Sequence, residues 1–199
     1  MYIIDYIEIL EIFATTLVIG YLFSHFITAP HRDLKFYANK FNRLWNWLDV
    51  KYSMMVVGPA IILHEFGHKI TAIAMGFSSR FHGILTGGNI VWYGAIVGFI
   101  LRIVSAPFMF LIPGYVAPAY EGAWAGISTT QMSLIAFMGP AVNLLLFIVF
   151  WALLKSNKFP KWHRLFYISK IVNMWLFILN MLPISPLDGY KVWGHYVFG

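Results

Sequence analysis

Five consecutive residues, His64-Glu65-Phe66-Gly67-His68, combine two imidazoles and a carboxyl group at a spacing that suits metal-assisted hydrolysis. On a helix, residues four apart lie one turn apart on one face, so both imidazoles can reach a single Zn²⁺. Glu65 then stands beside the metal's open position, where it can take a proton from water as a general base. A chance occurrence of this HExxH pattern in a chain of such length has a probability below about 1%.

Two imidazoles do not complete such a site, because catalytic zinc ordinarily takes three protein ligands and keeps one position for water. Downstream of His68 the acids are Glu121 and Asp188 alone. An isolated Asp-Gly pair is ordinarily a surface turn. Asp188-Gly189, however, closes the stretch that begins Asn180-Met181-Leu182-Pro183 at the end of an apolar helix. There Pro183 and Pro186 break the backbone and free it to line a cavity, which favours Asp188 over Glu121 as third ligand. Asn180 has two readings: its amide donates to the oxyanion of a tetrahedral intermediate, or it caps backbone groups freed by the prolines.

The elements that must position these residues are those of a membrane protein. Of 199 residues 60% are hydrophobic and 11% charged, and the motif sits inside the apolar run from Val56 to Met75. Three ionisable side chains in one turn of a membrane helix are costly and point to function. The net charge of +6 gathers in two short stretches, Arg32 to Lys51 and Lys155 to Lys170. These read as headgroup-facing topology signals rather than a nucleic-acid surface. With no cysteine, disulfides, thiolate zinc sites and cysteine nucleophiles are excluded.

Along the chain, a first apolar helix is expected over Ile7 to Ile27, with Asp5, Glu8 and Glu11 at its start arguing against a cleaved signal peptide. His31 to Lys51 suits an interfacial helix with an aromatic face. The motif helix is expected over Ser53 to Met75, closed by Gly76. Phe77 to Tyr93, rich in glycine and β-formers, predicts strands and turns. Gly94 to Pro113 reads as a spanning or re-entrant segment, and Arg102 within it as a cation snorkelling to the interface in preference to pairing with Glu121. Tyr115 to Ile127 reads as extended or looped, and spanning helices follow over Met132 to Leu154 and Ile168 to Leu182. The expected class is an all-α polytopic membrane protein with about five to six transmembrane or re-entrant helices and a small membrane-associated β element after the motif helix. A single membrane-embedded domain over 1–199 is expected, without a soluble accessory domain.

His64 through His68, followed by Asn180 through Gly189 with a membrane helix between, resembles the site-2 protease family of intramembrane zinc metalloproteases, peptidase family M50. Gly139-Pro140-Ala141-Val142-Asn143 is similar to the family's GPxxN element, although close packing at a helix start is the better reading of Gly139-Pro140, and Asn143 is a weaker candidate than Asn180. The resemblance implies one Zn²⁺ per chain held by His64, His68 and Asp188, with Glu65 activating water. It implies a multi-pass protein of the cell membrane that hydrolyses peptide bonds of transmembrane protein or peptide substrates within the lipid bilayer. It also implies that the Phe77 to Tyr93 segment holds unwound substrate by strand addition. The competing readings are a glutamate-ligated zinc protease using Glu121, and a non-proteolytic membrane zinc-binding or transport protein.

Overall fold

The computed structural model describes residues 4–30, 45–106 and 113–197. Among them are six α-helices and two short strands: α1 (Tyr6–Phe23), α2 (Trp47–Ala74), β1 (Ser79–His82), α3 (Gly88–Ile103), β2 (Tyr115–Pro118), α4 (Thr129–Ser156), α5 (His163–Asn180) and α6 (Asp188–Val197). The chain forms two compact units, one of Ala60–Phe81 and Val116–Gly199, the other of Ile4–Pro59 and His82–Tyr115. The helical class is as expected, and α1 and α4 are long and apolar enough to cross a membrane. The fuller count of five to six membrane segments goes beyond these two helices.

In the second unit, α1 starts at a capping box, with the Asp5 carboxylate accepting from Glu8 N–H and the Glu8 carboxylate from Asp5 N–H. Its polarity is inverted relative to a soluble helix. Tyr6, Ile9, Leu10 and Phe13 face outward, while Glu8, Glu11, Thr15, Ile19 and Leu22 form the buried stripe. Glu11 and Thr15 use that burial to hold a turn: Glu11 Oε2 accepts from Leu85 N–H at 2.9 Å and Thr15 Oγ1 from Ile84 N–H at 3.0 Å. Close approach to the first half of α2 depends on glycine, since a Cβ at Gly20 would run into the Met54 side chain and lie 3.2 Å from the Val50 carbonyl oxygen.

Three expectations fail in this unit. The motif helix begins at Trp47, so Trp47 to Lys51 form its first turn rather than the end of a separate interfacial helix; positions 31–44 of that expected helix lie outside the described residues. Only Ser79–His82 of the Phe77 to Tyr93 segment forms a strand, and Ile90 and Val91 belong to α3. The glycines there build a single turn, with Gly87 N–H bonded to Gly83 O at 2.7 Å and Gly88 at φ +65°, after which the apolar run is free to coil. Arg102 does not snorkel. It is 2% exposed, its guanidinium lying 4.2 Å from the centroid of the Tyr21 ring and donating to the Leu22 carbonyl at 3.3 Å near the C-terminus of α1, where cations are favoured. With 16 residues, α3 is about 24 Å long, short of the roughly 30 Å apolar core of a bilayer; positions 107–112 of the expected Gly94 to Pro113 segment are not among the described residues.

The first unit holds the motif. After α2, Gly76 N–H bonds Ile73 O and Phe77 N–H bonds Ala72 O with Gly76 at φ +88°, a Schellman closure at the expected glycine. β1 and β2 pair as a two-stranded ribbon. Ala119 N–H reaches Ser78 O at one end and His82 stacks on Tyr115 at the other, so the strands run antiparallel. Ser128 and Gln131 cap α4 reciprocally, Asn157 closes it in the left-handed region, and α5 packs back along it. A short helix that the sequence reading had not assigned, α6, begins at Asp188 itself.

Candidate metal centre

His64 and His68 project from one face of α2 with their rings at 86° and centroids 4.7 Å apart. Each ring is oriented through Nδ1. His68 Nδ1 lies 2.7 Å from the Ile135 carbonyl oxygen and His64 Nδ1 lies 2.6 Å from Asn143 Oδ1, both partners being on α4. Both partners are acceptors, so each Nδ1 carries the ring proton and each Nε2 presents a lone pair.

Those two lone pairs converge with a carboxylate. His64 Nε2 is 3.1 Å from His68 Nε2 and 3.0 Å from Asp188 Oδ2, and His68 Nε2 is 3.3 Å from the same Oδ2. Three acceptors meeting this closely require a cation or an added proton between them. For tetrahedral zinc with ligands at about 2.0 to 2.1 Å, neighbouring donor atoms stand about 3.3 to 3.4 Å apart. The observed triangle therefore approximates one face of such a tetrahedron, and the residues fit the metal that the motif implies. Among the described residues this is the one group of three His, Cys, Asp or Glu side chains arranged to hold a metal ion.

Asp188 reaches the site because the chain after α5 folds back tightly. The turn includes a cis Ser185-Pro186 bond, and Leu187 N–H bonds Ile184 O at 2.8 Å. A Cβ at Gly189 would collide with the Met181 and Leu182 carbonyl groups, so the Asp-Gly pair is what lets α6 start against the end of α5. Trp193 Nε1 donates to Met181 O at 3.2 Å, and Ser133 Oγ on α4 donates to Lys191 O at 3.0 Å, fixing α6 on both sides.

The glycines around the centre are close-approach positions. A Cβ on Gly67 would lie 2.6 Å from the Met138 carbonyl oxygen, so α2 and α4 meet there nearly backbone to backbone. A Cβ on Gly139 would run into the His68 ring and lie 2.7 Å from His64 Nε2. Gly139 and Asn143, one turn apart on α4, thus face His64 and His68, one turn apart on α2. Sequence reasoning had treated Gly139-Pro140 as packing and given Asn143 little weight. The signal was present in the four-residue spacing of a glycine and an asparagine within an apolar helix.

The remaining site candidates fall as follows. Glu65 is 9% exposed beside His64, with the Val116 backbone of β2 and the Lys191 side chain near its carboxyl group. Asn180 is the half-buried last residue of α5, and among the described residues no hydrogen bond joins it to His64, His68 or Asp188. Glu121 is exposed in the loop after β2 and does not take part in the cluster, which removes the support for the glutamate-ligated reading.

The family model for peptidase family M50 matches residues 52–160 of this chain. A protein of Methanocaldococcus jannaschii named provisionally as a zinc metalloprotease is 32% identical over 154 residues, covering 73% of this chain and 72% of its own length. Rip2 of Mycobacterium tuberculosis, named in the same way, is 26% identical over 149 residues, covering 70% of this chain and 55% of its own length. No solved structure matches. The family match spans more than half the chain, takes in both histidines, Glu65, Gly139 and Asn143, and agrees with the geometry around them: this chain belongs to peptidase family M50.

Proposed function

We propose that this chain is a zinc endopeptidase that hydrolyses peptide bonds of membrane-anchored protein substrates within the bilayer. The observation that carries the reading is the convergence of His64 Nε2, His68 Nε2 and Asp188 Oδ2 beside Glu65, at separations of 3.0 to 3.3 Å that suit one tetrahedral ion. A zinc ion bound there would supply Lewis acidity, polarising the scissile carbonyl and acidifying water. Glu65 takes the proton from the attacking water and returns it to the leaving amide nitrogen as the C–N bond breaks, so one water is consumed and the new termini are a carboxylate and an amine. Asn180, at the end of α5, remains the proposed donor to the oxyanion.

Placement supports hydrolysis inside the membrane. The α4 helix, long and apolar enough to span, contacts the histidines at Ile135 and Asn143, about 9 and 21 Å from its first residue by helical rise. The site is therefore set along this helix rather than at its end. A helical substrate must unwind locally before water can attack, and extended backbone at the β1–β2 ribbon would hold it by strand addition, with hydrogen bonds independent of side-chain identity. Because Ile90 and Val91 lie on α3, this proposal rests on β2, whose Val116 backbone lies near Glu65.

The test is zinc content and cleavage of a transmembrane substrate by detergent-purified protein, with Glu65→Gln and Asp188→Ala alongside. About one zinc per chain, lost in Asp188→Ala and kept in Glu65→Gln, with cleavage abolished in both, is the expected outcome. Retention of zinc by Asp188→Ala would overturn the ligand assignment, and cleavage by Glu65→Gln would overturn the role of the base.

A further inference from the structure

The two imidazoles have their Nδ1 protons fixed in different ways. His68 faces a main-chain carbonyl, Ile135 O, which can only accept. His64 faces the Asn143 amide, which offers an acceptor at one end and donors at the other. Turned over, that amide would direct Nδ2 at the ring, shift the ring proton to Nε2 and remove the lone pair that a metal needs.

What holds Asn143 the right way round lies beyond it. Its Nδ2 donates to Ala60 O at 3.0 Å and to Asn173 Oδ1 at 2.9 Å, so both amide protons are used in a residue with no exposed surface. Asn173, on α5 and 1% exposed, is another amide that could turn, but its Nδ2 donates to Ser169 O at 2.8 Å. Reversing Asn173 would set two NH₂ groups against each other and its oxygen against a carbonyl. The chain of bonds thus runs one way, from His64 through Asn143 and Asn173 to a helical carbonyl that can only accept. The Ala60 carbonyl secures one Asn143 proton; without Asn173 the second would be buried with no acceptor.

We propose that Asn173 is a positioning residue for the metal centre: by accepting from Asn143 it keeps that amide's oxygen on His64 Nδ1 and so keeps His64 Nε2 unprotonated and aimed at the ion. The inference rests on the zinc site proposed above. Its test is zinc affinity, measured by chelator competition on the full chain in detergent, for Asn173→Leu and Asn173→Asp in the wild-type and Asn143→Ala backgrounds. Asn173→Leu weakens zinc binding about tenfold, at the low end of the effect of partners that orient metal-ligating histidines. Asn173→Asp, neutral at this buried position so that its hydroxyl donates to Ser169 O, still accepts from Asn143 and stays close to wild type. In the Asn143→Ala background Asn173→Leu has no further effect, because it acts through the residue already removed. Equal weakening by Leu and Asp, unchanged affinity in Asn173→Leu, or additive losses with Asn143→Ala would each overturn the inference while leaving the zinc site standing. Wild-type protein that binds no zinc would overturn the site itself and this inference with it. Should Asn173→Leu not fold, Asn173→Ala takes its place in the same cycle.

Discussion

Gly139→Ala is a sharp test of the geometry, because ordinary helix energetics and the site predict opposite signs. In the interior of a helix, replacing glycine with alanine ordinarily stabilises by about 0.5 to 1 kcal/mol. At Gly139 the added methyl would lie 2.7 Å from His64 Nε2 and closer still to His68, whereas ordinary Cβ contacts begin near 3.4 Å. The His64 ring must retreat by about 0.7 Å, the difference between those two distances, and the His68 ring by more, while both are pinned at Nδ1 by bonds of 2.6 and 2.7 Å. Zinc sites tolerate ligand displacements of only about 0.2 Å. Overpacking of this kind costs about 1 to 3 kcal/mol, and loosening one Nδ1 bond about 1 kcal/mol more. A combined loss of about 3 kcal/mol weakens zinc binding roughly a hundredfold. Chelator competition reads this directly, with thermal unfolding in the same detergent as a check on folding. Gly194→Ala is the control, since nothing lies within 4 Å of a Cβ there. Wild-type zinc affinity in Gly139→Ala would refute the close approach of α4 to the imidazoles.

The remaining predictions concern neighbouring parts of the structure. Asn143→Leu removes the acceptor at His64 Nδ1 and is expected to weaken zinc binding by about ten- to a hundredfold with helical content unchanged, measured by chelator competition and circular dichroism. Arg102→Ala removes the contacts with Tyr21 and the Leu22 carbonyl and should lower stability by about 2 kcal/mol while zinc content holds, measured by thermal unfolding of detergent-solubilised protein. Ala117→Pro in β2 should reduce cleavage of a transmembrane substrate with zinc retained; full cleavage would count against strand addition at the ribbon.

Long apolar helices with clear punctuation were legible in the sequence, and short or glycine-rich segments were not. The expected spans Ile7 to Ile27 and Met132 to Leu154 correspond to Tyr6–Phe23 and Thr129–Ser156, with capping boxes starting the first one residue early and the second three. Asp188 was legible because a proline-broken helix end is an unusual place for a carboxylate in an apolar chain. The start of α3, Gly88 to Tyr93, was not, since an apolar run after Gly87-Gly88 satisfies strand and helix patterns alike until the turn at Gly83 to Gly87 is known. Arg102 was misread for a related reason. The acceptor that makes its burial tolerable is a carbonyl at the end of α1, eighty residues earlier, and no local pattern encodes it.

Seen from the centre outward, one physical problem accounts for most of the unusual residues in the first unit. Two imidazoles, two carboxyl groups and, once bound, a dication must sit among apolar helices where an unpaired polar atom is expensive. The helical spacing of four residues solves this twice over. On α2 it presents His64 and His68 together; on α4 it sets Gly139, which yields space, and Asn143, which supplies an acceptor, against them. A residue larger than glycine at 139 would fill the space a metal needs, and an apolar residue at 143 would leave His64 Nδ1 without its partner. The sequence between the two motifs is therefore as much part of the candidate metal centre as the proposed ligands are, because it decides whether three lone pairs can be held within 3.3 Å of one another.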